Sequence, residues 1–415
     1  MSARIISIGD ELLCGRTIDT NASRTQRRLL AHGITVGGVA VAPDTPQAIA
    51  TALDATPAQS LVVITGGLGP TPDDLTVAAV ADWADVALGN DARTECDLRT
   101  LAANRGFPYG PNMAKQAQVP TGFQALKNPA GTAPGLVGQA KERLLVLLPG
   151  VPAEVDALWP LVEAELVNRG ILGTERSCVL RRTCGLPEPE VDRRTAPIRD
   201  QWPLLAWSWW LTRWGVDVQV TALTDDPLPP ALAEALDAAL GDHVYAEDMT
   251  DLNAVVVNAL SAKGWTMAVA ESCTGGLIGA AITDVEGASA VFNGGALTYA
   301  NSAKTNVLNV SEGLLAEHGA VSSPVAEAMA TGARSLLGCD VALSVTGIAG
   351  PDGGSDDKPV GTTCIGLASP HGVWSKRLRF RSFRGRNREL AVSHALDAMR
   401  RYLASSTTPW SETAG

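Results

Sequence analysis

Short apolar segments that alternate with amphipathic ones restrict the fold of this chain more than any other feature. In the first third, candidate strands and helices take turns along the chain, at residues 4–8, 21–32, 34–41, 45–55, 61–64 and 74–83. The strand candidates are apolar almost throughout, which is typical of strands that are covered on both faces. Strands separated by helices also favour parallel pairing. The pattern predicts an α/β fold with a parallel sheet between two layers of helices.

The alternation stops in the middle of the 415-residue chain and then resumes. Residues 170–250 hold two short β-like runs, five tryptophans between 202 and 214, and a helix rich in Ala and Leu. We predict two three-layer α/β domains, at 1–169 and 251–405, joined by a small α+β module at 170–250 and followed by a polar tail at 406–415. We expect the tryptophans to lie in a core or in a contact between domains; ligand stacking is the alternative.

The composition excludes several functional classes. Acidic residues outnumber basic ones by 44 to 33, which argues against nucleic-acid binding as the main function. No apolar run reaches the roughly 18–20 residues of a membrane helix, and Asp10 and Glu11 interrupt the region where a secretory peptide is apolar. We therefore expect a cytoplasmic protein without membrane association. The seven cysteines form no Cys-x-x-Cys pair, so we predict neither a disulfide framework nor a structural zinc site.

The first candidate site is the segment TGGLGPTPDD at 65–74, which follows the third strand and precedes a helix. In parallel α/β folds ligands bind at the carboxyl ends of the strands. Gly66, Gly67 and Gly69 allow the backbone to approach a ligand closely. Asp73 and Asp74 are candidate ligands of a divalent cation. The alternative is a tight turn in which an Asp caps the helix.

Three further polar segments, at 9–21, 128–135 and 148–152, and Asp44 lie next to neighbouring strands. Because such loops converge at one edge of a parallel sheet, we expect a single crevice suited to a phosphorylated, nucleotide-like ligand. The chain has no G-x-x-x-x-G-K-[ST] motif, and no G-x-G-x-x-G motif follows the first strand, so ordinary nucleotide triphosphate or dinucleotide binding has no support.

The second candidate site is AESCTGG at 270–276, again between a strand and a helix. Ser272 or Thr274 is a candidate nucleophile beside N–H groups that stabilise an oxyanion; the alternative is a simple helix cap. No histidine lies near, so activation needs another base. Lys304 serves if burial lowers its pKa, and Tyr299 then relays the proton or orients Ser272. The alternative for Lys304 is an ordinary surface lysine.

These motifs resemble those of one family. GDELLCGRTIDTN, TGGLGPTPDD, NPAGTAPG and LPGVPAE look like the N-terminal domain of the CinA family, which is similar to molybdopterin-binding domains. AESCTGG, GGALTYANSAKTNVL and SVTGIAGPDGGSDDKPVGT look like the CinA C-terminal domain. The resemblance implies two ligand-binding domains in one chain, both acting in salvage of pyridine nucleotides, and a homodimer.

For the C-terminal domain the resemblance implies a nicotinamide-nucleotide amidase, which hydrolyses nicotinamide mononucleotide to nicotinic acid mononucleotide and ammonia without a metal or cofactor. Ser272 is then the nucleophile, and Tyr299 and Lys304 activate it. The implied substrate contacts come from Thr274, Gly275, Thr346, Gly347 and Arg386. Arg384 and Arg388 are rivals of Arg386 for the phosphate, because the family's G-D-R element reads RGRNR here.

For the N-terminal domain the resemblance implies binding or hydrolysis of ADP-ribose, with a divalent metal ion at Asp73 and Asp74. The implied nucleotide contacts are Asp10, Asn21, Asp44, Gly66, Gly67, Gly69 and Thr71. Asp10 departs from the family, which usually has Thr at this position. Two alternatives are a molybdopterin-binding protein with an inactive second domain, and a non-catalytic partner in competence or DNA recombination.

Overall fold

The computed structural model describes residues 2–410 except 107, 174 and 225, so residues 411–415 of the predicted polar tail lie outside the described residues. The chain divides into two compact units, Met1–Arg176 and Ser177–Gly415. Among the described residues, no helix is both long enough and apolar enough to cross a bilayer.

The first unit is built around a mixed sheet. Its strands are β1 (Ala3–Ile8), β2 (Val36–Ala42), β3 (Leu61–Thr65), β4 (Leu88–Asn90), β5 (Gln118–Pro120), β6 (Phe123–Leu126), β7 (Gly135–Ala140) and β8 (Arg143–Leu148). Its helices are α1 (Asp10–Leu13), α2 (Thr20–Ala31), α3 (Pro46–Asp54), α4 (Thr76–Ala84), α5 (Ala92–Arg105), α6 (Pro111–Lys115) and α7 (Pro152–Asn168). Six strands form one sheet in the order β2-β1-β3-β8-β7-β6, and β4 pairs with β5.

This sheet lies between two layers of helices. Helices α2 and α7 pack on one face, and α3 and α4 pack on the other. The central strand β3 reads LVVIT and is buried at every residue, as expected for a strand covered on both sides. Pro152 begins α7, and the Thr45 side chain accepts a hydrogen bond from Ala48 N–H at the start of α3. The apolar periodicity therefore leads directly to the three-layer arrangement.

The second unit begins with an antiparallel sheet over residues 177–250, which we call the small module. Its strands are β9 (Cys178–Thr183), β10 (Ala206–Leu211), β11 (Val216–Thr221) and β12 (Val244–Ala246), in the order β10-β11-β9-β12. Helices α8 (Glu188–Gln201) and α9 (Ala231–Leu240) pack against it. Trp207 and Trp209 lie against this core with ring centroids 6.1 Å apart. Trp214 is buried in the neighbouring core of the same unit.

The rest of the second unit is a five-stranded sheet in the order β14-β13-β15-β16-β17. The strands are β13 (Met267–Glu271), β14 (Phe292–Leu297), β15 (Val341–Gly347), β16 (Thr362–Ser369) and β17 (Gly372–Arg379). The helices are α10 (Leu252–Lys263), α11 (Leu277–Thr283), α12 (Asn301–Leu308), α13 (Glu312–His318), α14 (Ser323–Leu337) and α15 (Arg384–Ser405). Helices α10 and α15 cover one face, and α12 and α14 cover the other.

Strands β14, β13 and β15 are parallel, and one irregularity interrupts the first pairing. Met267 pairs with Phe292, but Ala268 pairs with Gly294, so β14 carries one extra residue, Asn293, at this point. Beyond it the two strands stay in step up to Glu271 and Leu297. The residues that follow both strands therefore leave the sheet at the same edge.

The structure corrects the predicted sheet in three places. Strands β6 and β7 are antiparallel to their neighbours, so the first sheet is mixed rather than parallel. The tryptophan-rich stretch is itself a strand, β10, paired along its length with β11. Strand β17 was not predicted because its exposed sequence, GVWSKRLR, has no apolar run.

Candidate active site and acidic cavity

The candidate active site around AESCTGG begins at the end of β13, where the chain leaves the sheet for α11. Residues 272–276, which we call the nucleophile turn, make this connection. Ser272 N–H donates to Val345 O on the neighbouring strand at 3.0 Å, which ties the turn to the sheet. Gly275 and Gly276 have φ values of 62° and 96°, which glycine adopts without strain. The turn places Ser272, 8% exposed, at the carboxyl end of a central strand.

Lys304 lies beside Ser272. Its side chain extends from α12, is 1% exposed, and places Nζ 3.1 Å from Ser272 Oγ. The same nitrogen donates to Thr298 O at 2.7 Å and lies 3.2 Å from Tyr299 O. Burial lowers the pKa of Lys304 from its usual 10.5, and within the part of the chain that the structure describes no carboxylate pairs with it. An amine that loses its proton more readily than that of an exposed lysine therefore contacts the hydroxyl.

Glu271, the last residue of β13, is a site residue that the sequence analysis missed. Its buried carboxylate accepts hydrogen bonds of 2.9, 3.2 and 2.9 Å from the N–H groups of Gly276, Ile278 and Gly279. It thus fixes the start of α11 behind the nucleophile turn. Its carbonyl accepts from Thr298 N–H at 2.8 Å, which joins the segments that carry the serine and the lysine.

Three other predicted residues have different placements. The Tyr299 side chain is 68% exposed, and its backbone carbonyl makes the contact with Lys304. The Thr346 hydroxyl is buried and donates to a backbone carbonyl at 2.9 Å. Gly347 packs so closely on the nucleophile turn that a Cβ atom there would lie 3.1 Å from Cys273 Sγ. Tyr299 therefore contacts Lys304 through its backbone carbonyl. Gly347 lets the nucleophile turn pack closely against β15, because it has no side chain.

The three candidate arginines at the start of α15 reach different partners. Arg388 donates through Nε and Nη2 to carbonyls of the nucleophile turn. Arg386 forms an ion pair with a glutamate on its own helix, and its Nη2 donates to Thr212 O in the small module at 3.4 Å. Arg384 donates to a carbonyl in the loop after β15. Of the three, Arg388 is the one that contacts the nucleophile turn, and which of them binds a phosphate stays a prediction.

Two side chains of the nucleophile turn are buried beside Ser272. Thr274 is fully buried, and its hydroxyl has no hydrogen-bond partner among the described residues. Burial raises the pKa of Cys273 to about 11, so this thiol stays protonated at neutral pH. Ser272 consequently has no competing thiolate next to it.

The candidate site around TGGLGPTPDD, in the first unit, is a cavity of about 540 Å³. We call it the acidic cavity. Gly66, Gly67 and Gly69 line it, together with the loop 149–152. Gly66 has a φ of 102°, and a Cβ atom there would lie 2.2 Å from Ile8 O, so only glycine fits. Five carboxylates also line the cavity: Glu11, Asp44, Asp73, Asp74 and Glu154.

The carboxylates influence each other's ionisation. Partial burial raises the pKa of Asp44, and the nearby negative charges of Asp10 and Glu11 raise it further. Hydrogen bonding, first from Thr71, lowers the pKa of the exposed Asp73. The Asp74 carboxylate accepts from Thr71 N–H at 2.8 Å. The cavity therefore presents a negative surface, unfavourable for a phosphate without a cation.

Three predicted residues, Thr71, Asp10 and Asn21, lie outside the lining of the cavity and support it. Thr71 does so through its hydrogen bond to Asp74. Asp10 N–H donates to Asp44 Oδ2 at 2.9 Å, and Asn21 Nδ2 donates to Gly150 O at 2.8 Å. Asn21 Oδ1 is buried and has no hydrogen-bond partner among the described residues. Gln116 also lines the cavity, and no motif indicated it, because it lies in a helix–strand connection rather than in a glycine-rich segment.

No three His, Cys, Asp or Glu side chains of the described residues lie close enough together to hold a metal ion by themselves. The lining carboxylates do fit Mg²⁺ in its usual protein setting, where one or two carboxylates bind it and substrate phosphates and water complete the shell. Asp73 and Asp74 both line this cavity, and their binding of a metal ion stays a prediction.

Comparison with known sequences decides the family. The CinA-like protein of Citrifermentans bemidjiense is 41% identical over 414 residues, which are 99% of this chain and 99% of the relative. The CinA-like protein of Geobacter sulfurreducens is 40% identical over 417 residues, covering 98% of this chain and 100% of the relative. The chain belongs to the CinA family.

Two segments of the chain each match a family model. Residues 4–168 match the probable molybdopterin binding domain, and residues 249–403 match the CinA C-terminal domain. Among solved structures, a competence-damaged protein (CinA) superfamily protein from Klebsiella pneumoniae is 37% identical; the match covers 37% of this chain and 96% of that one, with a TM-score of 0.36. By the two family models, the acidic cavity lies in the molybdopterin-binding-like part of this CinA chain. The nucleophile turn lies in the CinA C-terminal domain.

Proposed function

We propose that the CinA C-terminal domain is an amidase that hydrolyses the carboxamide of nicotinamide mononucleotide. The observation that carries this proposal is the buried Lys304 amine, 3.1 Å from Ser272 Oγ and without a carboxylate partner among the described residues. The choice of substrate rests on the family resemblance of the surrounding motifs. Serine needs a base to become a nucleophile, and a neutral lysine supplies one without histidine.

The oxygen neighbours of Lys304 accommodate either an ammonium or a neutral amine, and its lowered pKa shifts the balance toward the neutral form. A neutral amine has two N–H donors and one lone pair, whereas an ammonium has three donors and no acceptor. Lys304 Nζ has three oxygen neighbours: two backbone carbonyls, of Thr298 and Tyr299, and the Ser272 hydroxyl. The two N–H groups match the carbonyls, and the lone pair then accepts the serine proton.

The reaction follows from this arrangement. Ser272 Oγ attacks the carboxamide carbon while Lys304 Nζ takes the hydroxyl proton, which leaves a tetrahedral oxyanion. Lys304 returns that proton to the amide nitrogen, the C–N bond breaks, and ammonia leaves an ester on Ser272. Lys304 then takes a proton from water, the hydroxide attacks the ester, and the serine oxygen recovers its proton from Lys304. The products are nicotinic acid mononucleotide and ammonia.

Ammonia release from nicotinamide mononucleotide tests the amidase. We expect Ser272→Ala and Lys304→Met each to lower kcat by at least about 10³-fold, as for other residues that act as one catalytic unit. Ser261→Ala and Lys263→Met are matched controls, because both residues are on α10, away from the nucleophile turn. Undiminished activity in Ser272→Ala would exclude this serine as the nucleophile.

We further propose that the first unit binds a diphosphate nucleotide such as ADP-ribose together with a divalent cation. Five carboxylates line the acidic cavity, so a diphosphate alone meets repulsion that a cation at Asp73 and Asp74 removes. The glycines at 66, 67 and 69 leave room for the phosphates to approach the backbone. The cation bound there would polarise the diphosphate, and the glycine backbone would orient it.

Calorimetric titration of ADP-ribose tests this second proposal. We expect binding in Mg²⁺ that EDTA abolishes, and a loss of about tenfold in affinity in Asp73→Asn, since one charged ligand is removed. Asp82→Asn, an exposed residue of α4, is the control. Equal affinity with and without Mg²⁺ contradicts the cation, and binding of molybdopterin but not of ADP-ribose favours the alternative ligand.

A further inference from the structure

Arg388 holds the nucleophile turn through two consecutive carbonyls. Its Nε donates to Cys273 O at 3.0 Å, and its Nη2 donates to Thr274 O at 2.7 Å. A Cβ atom at Gly275 would lie 3.3 Å from Nη2, so the glycine leaves space for this contact. Two donors of the guanidinium are thus committed to the backbone that follows Ser272.

The position of Arg388 is itself fixed from the first turn of α15. The neighbouring Asn387 is buried and donates to Ala349 O at 3.0 Å and to Ser382 O at 2.8 Å, while it accepts from Ser382 N–H at 3.1 Å. These bonds attach the beginning of α15 to the loop that follows β15. The guanidinium therefore approaches the nucleophile turn from a rigid element.

The two carbonyls also determine where the next N–H groups point. A peptide unit is planar and trans, so its carbonyl and its N–H point in opposite directions. By holding Cys273 O and Thr274 O, Arg388 directs the N–H groups of Thr274 and Gly275 away from itself. Gly275 N–H already donates to Ser272 O, whereas Thr274 N–H has no acceptor among the described residues.

We propose that Arg388 is a positioning residue for the amidase, which holds the nucleophile turn so that Thr274 N–H stabilises the oxyanion. The inference rests on the proposed amidase function. It assigns to Arg388 a role that acts through the backbone instead of through the substrate phosphate. An N–H donor fixed before the reaction stabilises the developing charge more than one that must reorient.

Arg388→Ala and Arg388→Lys test the proposal, with kcat measured on nicotinamide mononucleotide and the Kd of nicotinic acid mononucleotide measured by calorimetry. We expect kcat to fall about 10²-fold in Arg388→Ala, as for the loss of an oxyanion donor, and to recover in part in Arg388→Lys. The Kd should stay within about twofold, because the ground-state contacts remain. A Kd that weakens while kcat is unchanged would make Arg388 a phosphate ligand and overturn the proposal.

Arg334→Ala is the matched control, because Arg334 also donates to a backbone carbonyl of the same domain, that of Asp340. It should leave kcat unchanged. Amide hydrogen exchange of residues 272–276 separates this proposal from the amidase itself. If the wild-type protein releases no ammonia, the amidase proposal fails; faster exchange in Arg388→Ala still supports the hold on the turn, and unchanged exchange overturns it.

Discussion

At the scale of single residues, the site depends on side chains whose roles are set by their surroundings. The sequence predicts that Ser272 and Lys304 act together, because no histidine lies near their motifs; the structure places Nζ 3.1 Å from Oγ, and their catalytic roles stay predictions. It could not predict that Tyr299 presents its carbonyl, or that Arg388 instead of Arg386 reaches the nucleophile turn. Those outcomes depend on which direction a side chain leaves its helix or loop, and spacing along the chain does not encode that direction.

The lowered pKa of Lys304 predicts the pH dependence of the amidase. Burial disfavours the ammonium, so the neutral amine that the proposed mechanism uses forms at a pH below the usual 10.5. Activity should rise as pH increases through the folded pKa and be lost as pH falls below it. A profile of kcat/KM against pH checks this, and a rising limb at or above pH 10.5 contradicts it.

The same shift has a consequence for stability. Between the lowered folded pKa of Lys304 and the unfolded value, the unfolded chain binds a proton that the folded chain does not bind. The free energy of unfolding therefore increases with pH through that window. Urea denaturation at several pH values should show this increase in wild type and lose it in Lys304→Met; an unchanged slope in the variant would assign it to another group.

We expect that no residue larger than glycine is tolerated at position 66, in the lining of the acidic cavity. In Gly66→Ala the new Cβ would lie 2.2 Å from Ile8 O. The backbone φ of residue 66 is 102°, which alanine adopts only with strain. We expect a loss of more than about 1 kcal/mol in the free energy of unfolding, measured by urea denaturation. Gly170→Ala is the control, since Gly170 also has a positive φ of 69° but nothing within 4 Å of its Cβ position. Equal losses in both variants would mean that backbone strain alone, and not the contact, sets the effect.

At the scale of secondary-structure elements, α11 shows how one carboxylate organises a helix start. Glu271 ends β13, and its side chain satisfies three N–H groups at the beginning of α11. The sequence predicts the strand and the helix from their apolar character. It does not predict that the acid between them turns back onto the helix, because a glutamate before a glycine-rich turn is equally compatible with a solvent-exposed side chain.

Glu271→Gln tests that role. The neutral amide has one acceptor oxygen in place of two, so we expect a loss of about 1–3 kcal/mol in the free energy of unfolding. Faster amide exchange at 276–279 should accompany it. Glu312→Gln, in the first turn of α13, is the control, and it should leave exchange at 276–279 unchanged. Slow exchange in Glu271→Gln would show that the helix start is held by its other contacts.

At the scale of the whole molecule, apolar periodicity accounts for the α/β class and the three-layer packing of both large sheets. It could not reveal the antiparallel edges. Residues 108–138 are rich in Pro, Gly and Asn, which conceals β6. The same reasoning separates the small module from the last sheet, yet Trp214 of the module is 2% exposed in a core shared with Leu252 and Tyr402.

Because Trp214 lies in this shared core, we expect the small module and the last sheet to unfold together. We expect Trp214→Ala to lower the free energy of unfolding by about 3–5 kcal/mol, because it leaves a large cavity in a shared core. Amide exchange should increase in both 177–250 and 251–405. Trp210→Ala, 37% exposed on the same hairpin, should have a small effect. An increase confined to 177–250 would mean that the two parts do not depend on one core.

The pairing of β13 with β14 beyond the extra residue Asn293 sets the spacing that the proposed amidase needs. Ser272 follows β13 and Lys304 follows β14. The register between these strands therefore sets the distance between Lys304 Nζ and Ser272 Oγ. A slip of one residue moves a strand by about 3.3 Å and reverses which face its side chains occupy. Deleting Asn293 would make the ladder regular and keep the pairs from Ala268 with Gly294 to Glu271 with Leu297, so the proposed base and nucleophile should keep their separation.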